Sequence, residues 1–125
     1  MQCRQQDENS RSLQAYLKET HELEASDNAI YCFFPANQCK NCFLYDASHI
    51  SPGLNGHVII ITGFDSTNFN GFKHCYKDGD NTMLELPVLD YGNRIITFKD
   101  GIIKNAVPIR DLYTQLDSTA ESISF

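Results

Sequence analysis

The chain has no tryptophan, only 2 methionines and 4 prolines, and no long apolar run. A membrane-spanning helix needs about 20 consecutive apolar residues, whereas the longest run here is the AIYCFF of Ala29–Phe34. Positive charge is scarce as well: 10 Lys and Arg stand against 16 Asp and Glu, a formal net charge of -6. Without a basic face, neither nucleic acid nor an anionic bilayer surface is an expected partner. The opening residues MQCRQQDENS lack the apolar centre of a secretory signal. Internal repeats and low-complexity tracts are absent too.

What is present fits one globular domain. The 125 residues are 42% apolar and 21% charged, enough to bury an ordinary core. Five cysteines occur, Cys3, Cys32, Cys39, Cys42 and Cys75, too few for a disulfide scaffold. Their odd number excludes complete pairing within one chain. Only Cys39 and Cys42 are close, in Cys39-Lys40-Asn41-Cys42. Such a C-x-x-C pair is a redox dithiol, half of a zinc site, or inert.

Residues 1–9 read as a flexible polar lead-in, 10–117 as the domain and 118–125 as a polar tail. Leu13, Tyr16, Leu17 and Leu23 or Ala25 share one side of a first helix, capped by Ser10 or Ser12 and ended by Asp27-Asn28. Ala29–Phe34 reads as a strand buried on both faces. Pro35–Gln38 breaks it, and a helix from Cys39 to about His49 follows, with Phe43, Leu44 and Ala47. Val58–Thr62 is the second buried strand, and a third helix is expected across about Ser66–Tyr76 despite Gly71. Met83–Leu89 reads as extended. Arg94–Phe98 and Ile102–Asn105 flank an Asp100-Gly101 hairpin turn. Pro108 then opens a last helix carrying Ile109, Leu112, Tyr113 and Leu116.

A strand, a short loop and a C-x-x-C opening a helix have a chemical logic. The unpaired N–H groups and partial positive charge of a helix N-terminus favour a thiolate there. Cys39 would be the exposed nucleophile. Cys42, one turn later and more buried, would resolve the mixed disulfide. The Lys40 cation between them would also favour the thiolate, and Asn41 is its neighbour.

In AIYCFFPANQCKNCFLY, in the strand Val58–Thr62 and in RIITFKDGIIKNAVPI, the chain resembles the thioredoxin-like superfamily. The resemblance implies an α/β fold with a central mixed sheet and helices on both faces. It also implies thiol–disulfide exchange with protein thiols or disulfides, without organic cofactor or metal. The chain departs from the family pattern at three points. No Trp precedes the first cysteine, and Phe33 stands where the family has a buried acid. The cis-proline register, just before the first hairpin strand, falls on Asn93. Pro87 takes that role if Pro87–Asp90 is the strand after the cis bond, which is preferred because a non-proline cis bond costs about 3 kcal/mol.

Other residues have plainer readings. Cys32 is a small core hydrophobe and Cys75 an inert thiol near a helix end. His49 and His57 are solvated loop residues, Tyr45 packs, and Asp46 lies on a solvated face. Cys3, followed by RQQDENS, resembles the acylated start of a bacterial lipoprotein with a polar tether. That reading sets the domain outside the cytoplasm, in the periplasm, with the cytoplasm as the alternative. A thioredoxin-fold module that binds a partner without turnover, and a zinc module using His74-Cys75, are the competing functions.

Overall fold

A computed structural model describes residues 2–48, 50, 58–69, 71–90 and 92–109. Helix α1 spans Gln2–His21. Leu13, Tyr16 and Leu17, three and four residues apart, form its buried stripe. The helix starts at Gln2, so the segment read as a flexible lead-in is instead helical. No Gly or Pro interrupts it, and its Gln, Arg and Glu residues are good helix formers. Cys3 lies in the first turn, with its side chain outside the described residues. The helix also stops earlier than Asp27. Glu22 takes a left-handed φ of 56°, and Leu23 N–H reaches back to Leu17 O at 3.0 Å, closing the end.

Five strands follow: β1 Ile30–Phe34, β2 Val58–Thr62, β3 His74–Lys77, β4 Arg94–Lys99 and β5 Ile102–Pro108. Helix α2, Lys40–Ser48, joins β1 to β2. The sheet order is β3-β2-β1-β4-β5. β1, β2 and β3 run parallel, while β4 is antiparallel to β1 and β5 to β4. The chain is therefore an α/β protein with one mixed five-stranded sheet.

Strand alternation divides the core in two. Tyr31 and Phe33 join a cluster with Leu13, Tyr16, Leu17, Ile61, Ile96 and Phe98. Ile30, Cys32 and Phe34 join a second one with Phe43, Val58, Ile60, Phe69 and Ile95. α1 contributes to the first cluster and α2 to the second.

Two expectations fail on tertiary grounds. In place of a helix over Ser66–Tyr76, a short 3-10 turn, Ser66–Phe69, precedes strand β3. Gly71 weakens a helix there, and the open edge of β2 offers a full ladder, with Ile60 opposite Cys75 and Ile61 opposite Tyr76. Cys75 thus lies on a strand. The extended reading of Met83–Leu89 gives way to two 3-10 turns, Thr82–Glu85 and Pro87–Leu89. Met83, Leu86 and Leu89 are buried, a spacing of three that suits a helix with three residues per turn. Among the described residues no peptide bond is cis, so Pro87 does not supply the expected cis-proline, nor does Asn93 supply a cis bond.

The hairpin follows its sequence signal. Asp100 and Gly101 both have positive φ, 54° and 79°, the pairing a tight two-residue turn requires. Pro108 is the last residue of β5, and the chain turns helical at the next residue, Ile109. The expected helix beyond Ile109, the polar tail, His49 and His57 lie outside the described residues.

Candidate functional site

The site is built at the C-terminal end of β1, where Pro35 ends the strand and the chain turns into α2. Cys39 directly precedes the first helical residue, Lys40. Its carbonyl accepts from Phe43 N–H at 3.1 Å. Its sulfur accepts from Cys42 N–H, also at 3.1 Å. A side-chain acceptor on the third helical N–H is the capping arrangement that Ser, Thr or Asp usually provides. Here sulfur occupies it.

Cys39 and Cys42 are joined as a disulfide, with Cα atoms 5.3 Å apart. Cys39 is exposed and Cys42 half-buried. Lys40 and Asn41 between them are exposed. The other two described cysteine side chains are of a different kind. Burial pushes the Cys32 thiol up to about 12, and burial also raises that of Cys75. Neither is suited to nucleophilic attack near neutral pH. Cys32 and Cys75 each face Ile60, one on either side across the ladder. Two strand spacings, about 9.6 Å, exceed what a disulfide spans.

The motif helix is anchored by aromatic packing. Phe43 stacks on Phe64 with centroids 4.0 Å apart and meets Phe34 edge-on at 5.5 Å. Phe69 lies 5.5 Å from Phe43 and 5.1 Å from Phe34. On the other side of α2, Leu44 and Tyr45 are 37% and 56% exposed, so Tyr45 does not fill the core.

Polar contacts fix the loop that presents Cys39. Asn81, in a left-handed conformation, accepts from Ala36 N–H at 3.0 Å. Gln38 donates to Pro35 O at 3.0 Å and to Asn93 Oδ1. Asn93 Nδ2 donates to Gln38 Oε1 at 2.9 Å and to Asp46 Oδ2 at 2.6 Å. Gln38 and Asn93 thus form a reciprocal amide pair whose remaining donors end on Pro35 and Asp46.

Asp46 is only 4% exposed, which corrects its reading as part of a solvated face. The helix phase explains it. Phe43, Asp46, Ala47 and Ile50 follow spacings of three and four, so Asp46 shares the sheet-facing stripe. That phase was visible in the sequence. Its partner Asn93, 47 residues away, was not. Asn93, rather than Pro87, is hydrogen-bonded into the motif segment. A cavity of about 230 Å³ opens beside this network, lined by Gln38, Asp46, Asn93, Arg94 and Ile109 among others.

A second buried acid lies elsewhere. Asp78, 2% exposed, accepts from Tyr16 Oη–H and from Met83 N–H, both at 2.8 Å. Tyr16 Oη also meets His21 Nε2 at 2.9 Å. This cluster ties α1 to the segment after β3.

Among the described residues, no three His, Cys, Asp or Glu side chains converge as metal ligands. None of the described helices is long and apolar enough to cross a membrane. No family model, curated protein or solved structure matches the chain.

Proposed function

We propose that the chain exchanges disulfides with protein partners through Cys39 and Cys42, in a thioredoxin-like arrangement. One observation carries this reading: a disulfide at the N-terminus of a helix, with its first cysteine exposed. The reduced Cys39 thiolate attacks a partner disulfide, and Cys42 then displaces the partner and restores the intramolecular bond. The strand–motif–helix–strand order, the antiparallel closing hairpin and the assignment of α1 and α2 to opposite clusters support the architecture. No cofactor enters the cycle. The compartment belongs to the same proposal: a standing disulfide fits an extracytoplasmic setting, in the periplasm with Cys3 as lipid anchor.

The test is a redox titration with an insulin-reduction assay. Wild type should reduce insulin, Cys39→Ser should not, and Cys42→Ser should accumulate mixed disulfides. Full activity in both variants would end the reading. The partner-binding reading rests on a specific observation, Phe33 and Asn93 at the two positions where the resemblance implies a buried acid and a cis-proline. A disulfide that resists strong reductants, with no turnover, would favour it. Stoichiometric zinc on metal analysis would favour the zinc module instead.

A further inference from the structure

Resolution of a mixed disulfide needs the Cys42 thiol to lose a proton inside a half-buried site. The geometry around α2 offers one buried carboxylate for it. Asp46 lies four residues after Cys42, and side chains at that spacing are neighbours on one helix face, about 6 Å apart at Cβ. Its burial gives it little bulk water to face. Asn93 donates to its Oδ2, and the Asn93–Gln38 pair carries that link to the residue before Cys39. A buried carboxylate is costly unless it is hydrogen-bonded, and Asn93, directly before β4, supplies that bond to the motif helix.

Resting on the exchange reading above, we propose that Asp46 accepts the Cys42 proton during resolution and that Asn93 is its positioning residue. The step balances as follows. The Cys42 S–H proton passes to Asp46, and the thiolate attacks Cys39 Sγ. The Cys39–Cys42 bond forms as the bond from Cys39 to the partner sulfur breaks. The electron pair leaves with the partner thiolate, which takes up a proton from Asp46 or solvent. The dithiol is oxidised by two electrons, and the partner disulfide is reduced.

Among the described residues, the other charged groups nearby are committed elsewhere or exposed. Arg94 lines the same cavity but directs Nε to Leu89 O at 3.2 Å, Nη1 to Ala106 O at 3.4 Å and Nη2 to Asp90 at 3.5 Å. Lys40 is exposed at the start of the helix and acts on Asp65.

The test mixes reduced protein with dithiobis(nitrobenzoate), whose coloured thiolate is released once when Cys39 is capped and once when Cys42 closes the ring. Asp46→Asn should leave the first release unchanged and slow the second about a hundredfold near pH 7, the scale of general-base catalysis. The deficit should vanish near about pH 10, where the thiol ionises unaided. Asp46→Glu should recover part of the rate. Asn93→Ala, a change off the helix, should slow the second release far more than the first, which it touches only through Gln38, and it carries the test if Asp46→Asn does not fold. A slowing independent of pH, or of both releases alike, would make the network merely structural and overturn the proposal. Rapid ring closure in wild type and Asp46→Asn alike, at every pH, would overturn the Asp46 assignment alone. Absence of ring closure in wild type would overturn the exchange reading and this inference together.

Discussion

At the scale of single residues, the described cysteines divide by environment. After mild reduction, Cys39 should alkylate first near neutral pH and Cys42 later. Cys32, its thiol raised to about 12 by burial, should react only on unfolding. Mass spectrometry of timed samples gives the order, and equal rates for Cys32 and Cys39 would contradict the burial of β1. His21 makes a second prediction. Burial lowers its pKa by more than the attraction of Asp78 raises it. The folded chain therefore binds this proton less readily than the unfolded chain, whose value is near 6.5. Its contribution to stability is complete above that pH and is lost as pH falls toward the folded value. His21→Gln should flatten the decline in Tm between about pH 7 and pH 5. Superimposable wild-type and variant curves would reject this role.

Elements explain why an acid at position 33 would not serve the cysteine pair. Phe33 packs with Tyr16 in the first cluster, whereas α2 packs its Phe43 into the second. Phe33→Asp should lower stability by several kcal/mol, the cost of an unpaired buried charge, without faster exchange. A variant that folds as stably as wild type and turns over faster would contradict this. The elements also show what the sequence made legible. β1, β2, α2 and the hairpin announce themselves through local signals: continuous apolar runs, the break at Pro35 and the Asp100-Gly101 turn. β3 does not, because His74–Lys77 becomes a strand only through the free edge of β2. The spacing of three in Met83, Leu86 and Leu89 is shared by α- and 3-10 helices, and Pro87 within it breaks the pattern, so the 3-10 turns have no distinct signal in the sequence. In the site, the cysteine pair was legible from spacing. The Gln38–Asn93–Asp46 network was not, because its contacts join segments 47 and 55 residues apart.

For the whole molecule, the question is whether the disulfide holds the fold together or rides on it. The sheet is packed by separate apolar clusters, and each includes fully buried residues of β1 and β2. The Cys39–Cys42 bond closes a loop with a sequence separation of only 3. Loop-closure entropy for so short a ring contributes about 2 kcal/mol, against the roughly 5–15 kcal/mol that stabilise an ordinary domain. Reduction should therefore lower Tm by several degrees, at a few degrees per kcal/mol for a chain of this size, and leave the far-UV circular dichroism unchanged. That outcome is what an exchange cycle needs, since the dithiol form must stay folded while it waits for a partner. Loss of cooperative unfolding on reduction would identify the bond as structural, and the two cysteines would then serve the fold instead of a partner.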